Sequence, residues 1–235
     1  MLPIRLGMLN ARGPQDLIAY ILTRNGRVET SNSRSVKIPS EAEVPLFVKD
    51  EFKDFYKAMF ATTWKKEGEN VAILEHFWDM AWCDPCAAQP LSQDELRGLG
   101  VFWVGEPGAP QPGRGKGVIA PQPQAQTALL TRLHVRYDAA HFPEDLVFQE
   151  TRDRQNFQGR YILRHAFTGS LACPEAEAYV NMVRERREQQ VTTTARLTGW
   201  GADEVRRKLE REALPAVAAP SPSPTPDAWW KGIWK

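Results

Sequence analysis

Ten of the chain's eighteen prolines fall in two short stretches, and this clustering limits what the chain can fold into. Pro107, Pro110, Pro112, Pro121 and Pro123 lie among Gly105, Gly108, Gly113, Gly115 and Gly117. Pro215, Pro220, Pro222, Pro224 and Pro226 lie among alanine and serine. Proline donates no backbone N–H and glycine brings no side chain to a core, so both stretches read as linker. The chain is expected to divide into a lobe over 1–104, a linker over 105–124, a second lobe over 125–213 and a tail over 214–235. Each lobe is long enough for a modest core. No internal repeat is visible.

Charge and hydropathy narrow the class further. Lys plus Arg is 30 and Asp plus Glu is 29, a net charge of +1. That balance argues against a protein built to coat nucleic acid, and no nucleic-acid partner is expected. No apolar run approaches the ~20 residues of a membrane-spanning helix. Hydrophobic residues make up 42% of the chain, which argues against wholesale disorder.

Local patterns predict the elements. Met1 to Asn10 reads as a strand, with no charged start and apolar stretch of a signal peptide. Asp16 to Leu22 is an apolar run, Asn25-Gly26 has the composition of a two-residue hairpin turn with positive φ at the glycine, and Arg27 to Ile38 returns. Phe52, Phe55, Tyr56, Met59, Phe60 and Thr63 recur at helical spacing, predicting a helix over Val48 to Lys65 with Asp50 as its cap. Val71 to Trp78 reads as a buried strand. Ser92 and Glu95 form a capping-box pattern opening a short helix that ends near Gly98, and Val101 to Val104 reads as a further strand. Leu129 to Tyr137 alternates with period two: Leu129, Thr131, Leu133, Val135 and Tyr137 on one face, Leu130, Arg132, His134 and Arg136 on the other. Leu146 to Glu150 and Arg160 to Phe167 are two more strands. A helix opening at Pro174 runs to about Gln190 or beyond, and another covers Asp203 to Glu212 with Val205 and Leu209 inward. The fold class is therefore α+β: antiparallel sheet with one wet face, packed with a few amphipathic helices.

Trp82-Cys83-Asp84-Pro85-Cys86 is the sharpest motif. It matches the Trp-Cys-x-Pro-Cys of thioredoxin-like oxidoreductases, in which Cys83 would be the nucleophile and Cys86 the resolving thiol. Such folds continue with a long helix, whereas Pro90, Gly98 and Gly100 here leave room only for a short one. The competing reading is a structural disulfide drawn from Cys83, Cys86 and Cys173. A metal site would need two more ligands, and no second Cys pair or nearby His pair supplies them. No assembled catalytic set stands out, and no cofactor is expected.

Arg132, His134 and Arg136 form a basic stripe that Arg160 and Arg164 are expected to extend on a neighbouring strand. The stripe is either an anion-binding face or a solvated sheet face balanced by Glu144, Asp145, Glu150 and Asp153. Gly113-Arg114-Gly115-Lys116-Gly117 is not a phosphate loop, for it lacks Ser or Thr after the Lys, a strand before it and a helix after it. The terminal Trp229, Trp230 and Trp234 with Lys231 and Lys235 suit weak contact with a membrane surface, or docking on the protein itself.

Five blocks in order then resemble one bacterial family, the domain of unknown function 2330. They are Val48-Lys49-Asp50-Glu51-Phe52 with Phe55-Tyr56, Trp82-Cys83-Asp84-Pro85-Cys86, Thr131-Arg132-Leu133 with Arg136-Tyr137, Phe142-Pro143-Glu144-Asp145-Leu146, and Gln158-Gly159-Arg160-Tyr161. The resemblance covers roughly residues 1 to 213. It implies an exported protein of the periplasm or cell envelope, whose relatives open with a signal peptide and a Cys-Gly-Gly-Phe-Phe-Cys segment. This sequence is expected to correspond to the C-terminal part of that pattern. The resemblance carries no established activity and no catalytic residues. The expected function is a structural or ligand-binding envelope domain without enzymatic activity; the alternatives are a thiol–disulfide oxidoreductase and a peripheral membrane-associated module.

Overall fold

The computed structural model describes residues 1–81, 91–104, 127–142, 144–212 and 216–217. Its elements are, in chain order, β1 (Gln15–Thr23), β2 (Val28–Thr30), β3 (Arg34–Lys37), β4 (Ala42–Glu43), α1 (Phe52–Lys66), β5 (Val71–Asp79), α2 (Gln93–Gly98), β6 (Leu129–Tyr137), β7 (Phe148–Glu150), β8 (Phe157–Gln158), β9 (Tyr161–Ile162), β10 (Ser170–Leu171), α3 (Ala176–Thr198), α4 (Ala202–Leu209) and β11 (Ala216–Val217). The class is α+β, as the patterns predict. The chain forms two compact units: Met1–Glu41 with Phe60–Arg160, and Ala42–Met59 with Tyr161–Lys235. These units do not follow the expected lobes. The strands before and after the 105–124 stretch share one sheet, and that stretch itself lies outside the described residues.

In the first unit the sheet runs in the order β1-β6-β5-β3. β6 is antiparallel to β1, with Gln15 opposite Tyr137 and Thr23 opposite Leu129, and antiparallel to β5 on its other side. The far edge of β5 is shared: β3 pairs with its start in parallel, and β8 pairs antiparallel further along. Separately, β2 pairs with β7. The alternation in β6 works as the period-two rule requires, and Leu129, Thr131, Leu133, Val135 and Tyr137 are all buried.

The opposite face is covered over His134 and Arg136 and stays exposed toward Ile18 and Tyr20 of β1. His134 is buried, and the Phe60 ring stacks on its imidazole at 3.7 Å. The Arg136 guanidinium lies over Phe60 at 5.0 Å and over Trp64 at 5.7 Å. The C-terminal half of α1 thus covers this part of the face with aromatic rings, which accept a cation as readily as an alkyl group.

Several local expectations are overturned by longer-range pairing. Residues Ile4–Met8 form a 3-10 helix rather than a strand, and only Leu2 bridges, to Leu146. Asn25-Gly26 does not close a hairpin, since β1 pairs with β6 and β2 with β7. Nor does Gly26 have a positive φ. A Cβ there would lie 2.2 Å from the Thr151 carbonyl oxygen, so glycine is needed for close backbone approach. Arg27 to Ile38 is broken into β2 and β3 by a turn at 31–33. Val101 to Val104 is a turn whose two valines fill a cluster with Trp78, Met80 and Leu96. α1 begins at Phe52; Leu46–Lys49 forms a 3-10 turn that Asp50 closes instead of capping α1.

The second unit holds the N-terminal half of α1, the parallel pairs β4–β9 and β10–β11, and the helices α3 and α4. Of the strand expected over Arg160 to Phe167, Tyr161–Ile162 forms. α3 ends at Gly199, whose φ of 75° lets its N–H reach back to the Ala195 carbonyl. Val205 and Leu209 of α4 are inward, packed with Val191, Phe47 and Trp200. Phe55 is fully buried against Tyr161, edge to face at 5.1 Å.

Candidate functional site

The clearest concavity lies in the second unit, a cleft of about 260 Å³. Its chemistry comes from Arg164, His165, Arg186, Arg187, Gln190 and Glu212. Val183, Arg186, Arg187 and Gln190 are spaced i, i+3, i+4 and i+7, which places them on one face of α3. Val183 and Gln190 are buried and anchor that face, so the two arginines between them are held at the cleft wall. Arg164 and His165 come from the segment after β9.

Glu43 on β4 organises the arginines. Arg164 Nε donates to its Oε2 at 2.8 Å, and Gln190 Nε2 donates to its Oε1 at 2.9 Å. Arg186 Nε is left 4.0 Å from that same Oε1, the outer limit of an ion pair. Arg187 donates to the Glu212 backbone carbonyl at 3.1 Å, and the Glu212 carboxylate accepts the Phe47 N–H at 3.0 Å. Arg164 and Arg186 therefore share the one Glu43 carboxylate, which also accepts from Gln190. This arrangement favours an added anion.

The stripe on β6 has a different fate. Arg132 Nε lies 2.7 Å from Glu75 Oε2, and His134 Nδ1 lies 2.8 Å from Glu75 Oε1. Arg136 grips Asp16 with two nitrogens, at 2.8 and 2.9 Å. His134 Nε2 is 3.5 Å from the same aspartate. Burial pushes the Asp16 carboxyl up, but the hydrogen bonds and charge of Arg136, aided by His134, outweigh this and hold it below its usual 3.8. The charges of the stripe are met by Glu75 on β5 and Asp16 on β1, the strands flanking β6. Three of the four carboxylates expected to do this bond elsewhere: Asp145 accepts the Arg5 N–H, Glu150 the Asn25 N–H, and Asp153 pairs with Arg27. Arg160 pairs with Glu41 and, like Arg164, is not on a strand next to β6.

The remaining candidates separate simply. Cys83 and Cys86 lie outside the described residues, as do Trp229, Trp230 and Trp234. Cys173 is exposed and its thiol is free. Sequence reasoning singled out Arg164 but missed Glu43, Arg186, Arg187, Gln190 and Glu212. The helical spacing of Arg186 and Arg187 from Val183 was the available signal.

A family model described as "Uncharacterized protein conserved in bacteria (DUF2330)" matches residues 1–149. The chain belongs to this family. The match takes in the β6 stripe, Glu43 and the cleft residue Leu46, whereas Arg164, His165, Arg186, Arg187, Gln190 and Glu212 of this DUF2330 member follow the matched span. No curated protein and no solved structure matches the chain.

Proposed function

We propose that this DUF2330 protein is a non-enzymatic domain of the bacterial cell envelope that binds a small anion in the cleft of Arg164, Arg186 and Arg187. The observation that carries this reading is the convergence of the Arg164 and Arg186 guanidinium groups on a cleft of about 260 Å³, where the Glu43 carboxylate they share is already engaged by Gln190. That volume suits a ligand of a few heavy atoms, such as phosphate or a short dicarboxylate. A binding role is favoured over a reaction by the cleft's contents. Among the described residues, neither His165 nor the Thr168 hydroxyl has a hydrogen-bonded partner, so no nucleophile–base pair is assembled. The envelope placement rests on the exported character that the family resemblance implies.

The test is a thermal-shift titration of the purified chain with phosphate, sulfate and succinate. A ligand that binds only the folded state stabilises it by about 2.7 kcal/mol at one hundred times its dissociation constant. At least one anion should raise the melting temperature in a saturable way, and Arg164→Gln with Arg186→Gln should abolish the rise. No response to any of the three, or an undiminished response in the double variant, would refute the proposal.

A further inference from the structure

The two edges of the main sheet are guarded differently. The β3 edge is short and carries exposed cations at both ends, Arg34 and Lys37, a common protection against edge-to-edge pairing. The β1 edge runs nine residues with no glycine, proline or register shift. Its one charge, Asp16, is taken by the bidentate grip of Arg136. Ile18 and Tyr20 stand 42% and 62% exposed on one face of β1. Among the described residues, no strand pairs with the outer side of β1.

We propose that this edge pairs with the β1 edge of a second copy of the chain, in antiparallel fashion about a two-fold axis at Ala19. The central residues of β1, 17–21, are self-complementary about that residue, and Asp16 would face Leu22 outside them. Ile18 of one copy would face Tyr20 of the other, and the reverse, giving two β-branched–aromatic pairs on the exposed face. Leu17 would face Ile21 on the opposite face, and Ala19 would face Ala19, where small side chains let the strands close. An isologous contact of this kind satisfies both copies at once and ends the assembly at a dimer. The unguarded edge and the symmetric pattern together favour a second copy over an unrelated strand, which would have no reason to match β1 about its own midpoint. This inference is independent of the anion cleft, which lies in the other unit.

One strand pair is a small interface, at the weak end of the size range, so sedimentation equilibrium should extend to about 200 μM protein. The full chain should show a monomer–dimer equilibrium. Ile18→Lys with Tyr20→Lys should weaken it at least tenfold while melting stays cooperative, although Tyr20→Lys removes the ring whose centroid lies 5.5 Å from the Arg132 guanidinium. A second variant supplies a positive test. Directly opposite residues in an antiparallel pair have Cα atoms about 4.5–5.5 Å apart, within reach of a disulfide. Ala19→Cys should therefore oxidise to a dimer linked through position 19, identified by mass spectrometry of the joined peptide, while the exposed control Arg24→Cys should not link. A monomer at every concentration would overturn the proposal. So would a dimer that the double lysine variant leaves intact, or equal linking at positions 19 and 24. A monomer whose β1 amides exchange slowly would show that a segment of the same chain occupies the edge, and would overturn it too.

Discussion

Phe55 and Gly26 show how differently two fully enclosed positions constrain the chain. Phe55 sits within the second unit with Tyr161 edge-on at 5.1 Å. Phe55→Ala leaves a cavity that a helix side chain of this size cannot refill, and the expected loss is about 3–5 kcal/mol in urea melts. A loss below about 1 kcal/mol would mean that the ring contributes little to the core. At Gly26 the limit is space rather than burial. Gly26→Ala would drive a Cβ to 2.2 Å from the Thr151 carbonyl oxygen, so the backbone must shift. The expected cost is about 1–3 kcal/mol, as for other overpacked sites. Charge gives a third constraint. Asp16 titrates below its usual 3.8 in the folded protein, so its stabilisation is present above that value and is lost as pH falls through the lower folded one. Asp16→Asn should lower stability at neutral pH and flatten the loss below about pH 3.8, measured by urea melts across the acid range.

Among the elements, α2 is the one whose existence depends most on its cap. Six residues are too few for a helix to persist on propensity. Ser92 Oγ accepts the Glu95 N–H, and Glu95 Oε2 accepts the Ser92 N–H at 2.8 Å. This box holds Leu96 in the cluster of Trp78, Met80, Val101 and Val104. Ser92→Ala should cost about 1 kcal/mol, read as a lowered urea midpoint with an unchanged slope. The box was legible in sequence because every group in it lies within four residues. The β6 alternation was legible for the same reason, since the pleat alone dictates which side chains share a face. The turn signal at Asn25-Gly26 misled because it specifies a local hairpin, and the strands it separates find partners more than a hundred residues away. The covered face of β6 was illegible for a related reason: its polar residues pair with Glu75 and Asp16 and lie under Phe60 and Trp64, none of them close in sequence. The arginine cleft shares that property, since Glu43 and Gln190 meet across 147 positions.

For the molecule as a whole, the open chemical question is the pair Cys83 and Cys86. A catalytic pair needs a depressed thiolate pKa, which a cation or a substantial helix N-terminus can supply. In sequence the pair encloses Asp84, an anion that disfavours thiolate formation, and Pro85, which stiffens the turn. The helix that follows in the described chain, α2, has six residues and begins at Gln93, seven positions after Cys86 in sequence. A protein exported to an oxidising compartment would instead keep such cysteines as a disulfide, with each other or with a further thiol. The expected outcome is a protein without insulin-reductase activity. Cys83→Ser with Cys86→Ser should then lower stability by about 2–4 kcal/mol if a long loop is closed, and by less if only the short loop between the two is. Assay and melt together decide the matter. Reductase activity at the level of thioredoxin, abolished in the double variant with its melting unchanged, would make the protein an oxidoreductase. A melt that drops with no activity in either form leaves the cysteines as a staple of the fold, and leaves the arginine cleft as the place to look for a ligand.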